Sequence, residues 1–507
     1  MLRINNSYFV LEKFKIILSL LLFFIFSFPI VAKDLSLTEV LEIKTSVSSL
    51  RELSSRESPG IISVITDDEI EKSGAKDILD VLRNVPGFYF STDLVSTVNL
   101  VSRGMSTAEG KVLIMVDGLE QNEQVYGTLP LANHYPVAQI KKIEIIRGPG
   151  SVIYGGFAGL NVINIVTKKG DDLRGGEFEL TSGEMKDAYG HNSLSMIYGQ
   201  EKDGFKGSVG GFVGRSNLSD RDYKDYPPYQ ADGRPISMAS GSRIDPHFLN
   251  AGIEYNGFEF RTQQDSYQTT NRDGWAAGNV MEDEVHFLNN IVNAKKTIKI
   301  AKLKITPEWT FIDNSPFYNP EPMNDMIDDN EIRQRATTQI ARLLADYNLT
   351  DENNIIIGVE KRWKDYQLLN TWTDRDPPQK HPALGFEDSI KARQETAYFA
   401  QYMHMSKIGN VTLGVRQDDV ENRDKITVPR IGYTNIINKI HFKVLWAKSF
   451  REPTMSSLEF GDLNSEKITT TELEFGYQIS TNLFANLNFY NSLIDNPIAY
   501  GFDFENN

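Results

Sequence analysis

Beyond Gly170 the chain alternates apolar and polar residues at every second position, in short segments separated by polar stretches, and this period limits the fold more than any other feature. Side chains on a strand point to opposite faces in turn. In Thr471–Ile479, Leu473, Phe475, Tyr477 and Ile479 therefore share one face, with Glu472, Glu474, Gly476 and Gln478 on the other. Lys302–Phe311 sets Leu303, Ile305, Trp309 and Phe311 against Lys304, Thr306, Glu308 and Thr310. Ile355–Trp363 sets Val359 and Trp363 against Glu360 and Arg362, and Val411–Arg416 and Leu483–Phe489 follow suit. In a soluble sandwich the apolar face is the inside. In a membrane barrel the apolar face meets lipid and the polar face lines the lumen. Alternation alone does not separate the two.

Two further features favour the barrel. Aromatic residues are abundant, with 21 Tyr and 28 Phe, and several fall near strand ends, where interface girdles sit. The connections are also unequal. Asn256-Gly257 is a tight hairpin, whereas Ser216–Pro246, Asp313–Glu331 and Asn370–Glu395 are long, polar and rich in Pro and Asp. Short turns at one rim and long loops at the other are the outer-membrane arrangement.

Composition narrows the class. Forty per cent of residues are hydrophobic and 24% charged, which is not a disordered composition. A mean hydropathy of -0.34 excludes a polytopic helical membrane protein but not a barrel, whose strands show lipid only every second residue. The net charge of -15 offers no basic face for phosphates, so nucleic acid is not an expected partner. Without cysteine there are no disulfides, thiol nucleophiles or Cys-based zinc sites.

The N-terminus reads as an export signal. Arg3, Lys13 and Lys15 precede an apolar run, Ile16 to Ile30, and Val31-Ala32 offers a small residue before Lys33. The run is short of the roughly 18–20 residues of a spanning helix, so cleavage near Ala32 is expected. Residues 33–59 have no sustained period and read as an extended, mobile segment. A compact α/β pattern follows over 60–169. Ile61–Ile65 is a short strand, and Thr66-Asp67-Asp68-Glu69 is a capping box for a helix that Gly74 stops. Asp77–Arg83 predicts a second helix, ended by Pro86-Gly87, and Val112–Val116, Ile143–Ile146 and Val162–Val166 predict strands.

No motif here carries catalytic chemistry. Arg147-Gly-Pro-Gly-Ser-Val-Ile-Tyr-Gly-Gly156 suggests a phosphate loop, but Phe157 stands where a Walker lysine belongs and Pro149 lacks an amide proton. The glycines more simply permit tight turns against another backbone. Asp117-Gly118, after a buried strand, reads as a turn rather than a catalytic carboxylate. No two of the seven histidines have the spacing of a helical metal pair. His134 is the one ligand-contact candidate, against the plainer reading of a solvated loop residue. No metal, cofactor or enzyme activity is expected.

Six segments, in order, resemble the plug domain of TonB-dependent outer-membrane receptors. They are Ile61-Ile-Ser-Val-Ile-Thr66, Ile78-Leu-Asp-Val-Leu82 leading to Val85-Pro-Gly87, Arg103-Gly104, Val112-Leu-Ile-Met-Val-Asp-Gly118, Ile143-Glu-Ile-Ile-Arg-Gly-Pro-Gly-Ser151 with Tyr154-Gly155, and Asn161-Val-Ile-Asn-Ile-Val-Thr-Lys168. Any one is weak; together and in sequence they are specific. The resemblance makes Arg103, Gly104, Asp117, Gly118, Glu144, Arg147, Gly148, Pro149, Gly150, Tyr154, Gly155 and Asn164 the plug's motif residues. Ser449-Phe-Arg-Glu-Pro453, Glu466–Gly476, Asn488-Phe-Tyr-Asn491 and Ile494 are more loosely similar to the family's late barrel strands.

The resemblance implies a mainly β fold, a transmembrane antiparallel barrel over 170–507 around the plug. It implies active uptake of a ferric siderophore, cobalamin or a similar scarce chelate. The partners it implies are outer-membrane lipid and TonB with its inner-membrane energising complex, which pairs as a strand with a TonB box. The box is expected within Leu37–Val47, at Val40, Leu41, Glu42, Ile43, Lys44, Thr45, Ser46 and Val47, as an extended strand. Two departures stand out. Family barrels have about 22 strands, and at roughly 15 residues per strand and loop 170–507 supplies too few, so the last strands are expected to be missing. Haem receptors of the family carry His in the stretch that corresponds to Phe450–Ile468, and none is present there, which disfavours haem. The alternatives are a barrel serving chiefly in adhesion or in phage and bacteriocin docking, and a periplasmic sandwich enzyme.

Overall fold

A computed structural model describes residues 36–92, 98–107, 110–127, 131, 134–173, 175–223, 236–271, 283–318, 332–370, 389–455, 457 and 463–498. The export signal expected at 1–32 lies outside the described residues.

The α/β pattern folds as a five-stranded sheet, in the order Ile62–Thr66, Ile140–Ile146, Asn161–Thr167, Val112–Val116, Leu119–Glu120. Asn161–Thr167 runs parallel to Val112–Val116 and antiparallel to Ile140–Ile146. Thr66 caps the helix Asp67–Ser73: its side chain accepts from the Glu69 amide while Glu69 reaches back, and Gly74 ends the helix at φ +70°. Such a cap is worth about 1 kcal/mol. Asp77 caps the helix Ile78–Leu82, whose Ile78, Leu79, Val81 and Leu82 are buried against the sheet. Each of those side chains contributes roughly 1.5–3 kcal/mol by leaving water.

From Gly175 onward a single large antiparallel sheet forms. Fifteen strands follow one another along it in chain order, from Gly175–Glu184 to Phe484–Asp495, with Ile298–Ile300 paired at the side. Among the described residues no ladder joins its two end strands. The connections at residues 203–204, 256–257, 407–408 and 438–439 are tight turns at one rim. At the opposite rim the strands Phe205–Asn217 and Arg243–Tyr255, and likewise Asn353–Asn370 and Ser389–Ser406, are joined by long connections. The strands also run further than the alternation suggested. Residues 216–217, 243–246, 313–318 and 389–395, expected in loops, lie in the ladder, because backbone pairing tolerates the polar and Pro residues that interrupt an apolar period.

Side-chain direction decides between sandwich and barrel. Leu473, Phe475 and Tyr477 are 47%, 52% and 43% exposed, whereas Glu472 and Glu474 are 4% and 5% exposed. Glu360 and Arg362 point in, while Ile357, Val359 and Trp363 point out. The apolar face is thus on the outside and the charged face is covered by the α/β domain, the reverse of a soluble protein.

The described part of the segment before the plug, residues 36–59, is folded rather than extended. Leu37–Leu41 is a helical turn, Lys44–Thr45 pairs with Leu53–Ser54, and Val47, Ser48, Ser49, Ser54 and Ser58 are buried. Local periodicity could not show this, because the partners are distant. Gln401 donates to Ser49 O at 2.8 Å, Arg430 to Ser48 O at 2.8 Å, Thr434 to Glu57 O at 2.9 Å, and Lys443 to Ser55 O and Gly60 O at 2.7 and 2.8 Å. Barrel side chains satisfy the carbonyls that a non-repetitive backbone leaves open.

Candidate functional site

The plug's motif residues converge on its seam with the barrel wall. Asp117 (φ +53°) and Gly118 (φ +81°) make a turn after the buried strand Val112–Val116. The Asp117 carboxylate accepts from the Thr167 amide (2.9 Å) and hydroxyl (2.7 Å), and from barrel Asn250 at 3.0 Å, with Arg261 at 2.9 Å. It is a structural acceptor that ties turn, sheet and barrel together. Asn164 accepts from the Gly118 amide at 3.0 Å and donates to Glu144 at 3.1 Å, bracing the same sheet.

Arg103 (φ +52°) precedes Gly104 (φ +80°) in a second turn. Its guanidinium meets barrel Glu472 at 2.6 Å, lies 4.3 Å over the Tyr490 ring and donates to the Arg147 carbonyl. Burial pushes the Arg147 guanidinium below its usual range, against the opposing pull of Glu474 and Glu472. Gly148 packs on Glu472, where a Cβ would stand 2.8 Å from Oε2. Pro149, half-buried, leads into the helical turn Ser151–Tyr154. A Cβ on Gly150 would meet Val162 Cγ2 at 2.5 Å, and Gly155 (φ +82°) presses on Arg416. The Gly-rich segment is therefore a packing element, but what it packs against is mainly side chains, not the backbone expected from sequence.

Beside this segment the barrel wall carries a network of buried ion pairs, one of which, Arg362–Glu120, crosses to the plug. Glu360, itself buried, sits among three guanidiniums: Arg342 at 2.7 Å, Arg362 at 2.8 Å and Arg416 at 3.3 Å. Arg362 also reaches plug Glu120 at 3.0 Å, and Arg416 holds Asp418 at 2.9 Å. Nearer the long-loop rim Glu395 accepts from Lys364 and Arg393, each at 2.8 Å. Buried charges persist only when paired in this way. A cavity of about 50 Å³ opens among Tyr154, Phe157, Arg393, Glu395, Arg416 and Glu452. A second, of about 40 Å³, lies among Met115, Glu120, Glu308, Thr310 and Arg342. Among the described residues no cluster of His, Asp or Glu is arranged to hold a metal.

Two sequence candidates lie elsewhere than expected. His134 is fully buried, with Nε2 2.9 Å from Asp265 of the barrel and its ring edge-on to Tyr135 and Tyr267. It is buried rather than solvated, with aromatic neighbours packed edge-on against it. Burial, and next Asp265, push the Tyr135 hydroxyl well above its usual range. Of the residues assigned to the TonB box, Val40 and Leu41 are helical, Glu42 pairs with Arg56, and Ile43 is half-buried. Lys44 and Thr45 form the short ladder, and Ser46 is exposed. Val47 packs with Ile62, Leu113, Met115, Ile146 and Val162. The extended conformation expected there is replaced by this folded one, because Val47 gains an apolar pocket that an exposed strand lacks. Sequence reasoning missed the barrel partners Gln401, Arg430, Thr434 and Lys443. Their only signal was position: they are polar residues in the inward phase of alternating strands.

A family model described as TonB-dependent Receptor Plug Domain matches residues 54–160, and one described as TonB dependent receptor-like, beta-barrel matches residues 170–507. The vitamin B12 transporter BtuB of Vibrio vulnificus is 23% identical over 446 residues, which are 86% of this chain and 68% of that protein. The iron-regulated outer membrane virulence protein of Vibrio cholerae is 31% identical over 176 residues, which are 32% of this chain and 26% of that protein. Among solved structures, a variant of the ferric enterobactin receptor PfeA from Pseudomonas aeruginosa superposes with a TM-score of 0.72 at 15% identity, covering 87% of this chain and 72% of that one. The FrpB iron transporter from Neisseria meningitidis gives 0.67 at 16% identity, covering 87% and 73%.

Proposed function

The chain belongs to the TonB-dependent receptor family, and we propose that it takes up a ferric siderophore, cobalamin or a similar scarce chelate across a bacterial outer membrane. One observation carries this reading. The strands turn apolar side chains outward and charged ones inward onto a separate domain that fills the lumen. A barrel closed by a plug held through ion pairs and side-chain-to-carbonyl contacts has to be opened by force, and force requires a coupling partner. That partner is TonB, which adds a strand to the N-terminal segment and is energised from the inner membrane. The long-loop rim faces outward and captures ligand; the tight-turn rim faces the periplasm. The reading calls for no covalent chemistry.

On this reading the box lies within Leu37–Val47, of which Leu37–Ile43 precedes the Lys44–Thr45 ladder. Deleting Leu37–Ile43 spares the Lys44–Thr45 ladder and buried Val47. Energised uptake is expected to stop while ligand still binds the cell surface. Uptake that continues would refute the placing of the box in the deleted residues, and surface binding without any energised uptake in the intact chain would refute the transport reading in favour of a docking receptor. Growth of a knockout under iron starvation against cobalamin limitation distinguishes the two ligand classes.

A further inference from the structure

Tyr154 stands where three features meet. It lines both seam cavities, and Arg362 is the other residue they share. The wall residues of the first cavity, Lys364, Arg393, Glu395 and Asp418, lie toward the long-loop ends of their strands. Those of the second, Glu308 and Arg342, lie toward the tight-turn ends. The two cavities are therefore stacked along the seam, with Tyr154 and Arg362 between them. Arg362 is fixed from both sides by Glu120 and Glu360. Tyr154 is held differently: its hydroxyl donates to the Val47 carbonyl at 2.8 Å, and its ring packs on the cluster that contains Val47. It ends a single helical turn bounded by Gly150 and Gly155, so little secondary structure resists its movement.

We propose that Tyr154 is the gate between the two cavities, latched shut by the N-terminal segment through Val47. This rests on the transport reading given above. Withdrawing Val47 removes both the acceptor and the apolar contact in one step. The ring then swings off the septum and the two cavities merge into one passage, lined by Arg342, Arg362, Lys364 and Glu395 together with Met115 and Ile312. One residue thereby couples a pull at the N-terminus to an opening along the barrel wall. Burial, and next Glu144, push the Tyr154 hydroxyl above its usual range, so it remains a hydrogen-bond donor at any physiological pH.

The chain has no cysteine, so single thiols report accessibility cleanly. Thr310→Cys places a reporter in the second cavity, and Ile70→Cys places one in the plug core away from the seam. Intact cells carrying the full chain are treated with a membrane-impermeant maleimide. Thr310→Cys is expected to be protected when Tyr154 is present. Its labelling is expected to rise about fivefold in Tyr154→Phe, the worth of one neutral hydrogen bond, and roughly tenfold or more in Tyr154→Ala. Val47→Cys should become reactive in the same Phe background. Unchanged labelling of Thr310→Cys in both backgrounds overturns the gate. If Ile70→Cys is also labelled in Tyr154→Ala, the plug has unfolded and the milder Phe variant decides alone. Labelling requires neither ligand nor uptake. Normal gating in a chain that fails the uptake test would thus refute the transport reading, whereas intact uptake with unchanged labelling would refute the gate.

Discussion

Removing the charge of Glu360 tests whether the buried ion pairs of the wall stabilise the chain. In Glu360→Gln the amide keeps the shape but replaces one acceptor oxygen with a donor that faces guanidinium N–H groups. Breaking a buried pair by neutralising one partner costs about 3–5 kcal/mol. Each of the three cations retains another partner: Arg342 has Glu308 at 3.5 Å, Arg362 has Glu120 at 3.0 Å, and Arg416 has Asp418 at 2.9 Å. The expected loss is therefore at the lower end, about 3 kcal/mol. Urea unfolding of the purified chain in lipid, followed by tryptophan fluorescence, measures it as a shift in midpoint at constant slope. Exposed Glu201→Gln is the control, expected within about 0.5 kcal/mol of the unchanged chain. Glu120→Gln removes only the plug side of Arg362. Because both acids share that guanidinium, the double variant should depart from additivity by about 1 kcal/mol. If Glu360→Gln is no more harmful than the Glu201 control, these contacts are incidental to stability.

Other outcomes follow from the same geometry. Gly150→Ala should destabilise by roughly 1–3 kcal/mol, since its Cβ falls 2.5 Å from Val162 Cγ2; a melting temperature equal to the parent's would mean that the segment repacks freely. His134→Ala leaves Asp265 buried beside a void and should cost about 3 kcal/mol or more in the same urea experiment, whereas a solvated loop histidine would be silent. For Asp171, burial raises the carboxyl, but the hydrogen bond and charge of Lys206, a backbone hydrogen bond and the charge of Lys141 together outweigh it and hold the group below its ordinary range. With a depressed folded value, this linker contact stabilises above the unfolded Asp range, near pH ~3.9, and is lost as pH falls through the lower folded value. An NMR titration should show the Asp171 midpoint move up in Lys206→Gln; an unmoved midpoint would exclude the contact.

The plug was legible because its signals are local. Thr66 and Glu69 are three residues apart and cap the helix as their types require, and Val112–Val116 is a strand within the limits that its β-branched run indicates. The barrel was legible in period but not in sense, since alternation is the same whichever face meets water. Sense became readable only when Glu472 and Glu474 proved buried and Leu473 and Phe475 exposed. The seam was illegible for a third reason. Glu120 meets Arg362 from 242 residues away, and Arg430 meets the Ser48 carbonyl from 382 residues away. In both cases the chemistry is ordinary and only the juxtaposition is new.

That difference bears on how such a chain can be strong and yet opened. Contacts between a pulled segment and the wall made through backbone carbonyls, such as those of Ser48, Ser49, Glu57 and Gly60, depend little on side-chain identity at 48–60. They are made by single donors at successive points, so a force applied at one end breaks them one after another, each worth about 1 kcal/mol, rather than all at once. The Glu360 cluster resists as a unit, because its three cations share one carboxylate. The molecule therefore places its sequentially breakable contacts under the N-terminal segment and its collective ones in the barrel wall, joined to the plug through Arg362 and Glu120. Substituting Lys443, which reaches both the Ser55 and Gly60 carbonyls, should lower the force that frees the segment without loosening the rest of the plug. Single-molecule extension of Lys443→Met from the N-terminus would show it: unchanged first ruptures, at Ser48 and Ser49, followed by weakened later ones, at Ser55 and Gly60, support the ordering, and a simultaneous loss of all of them refutes it.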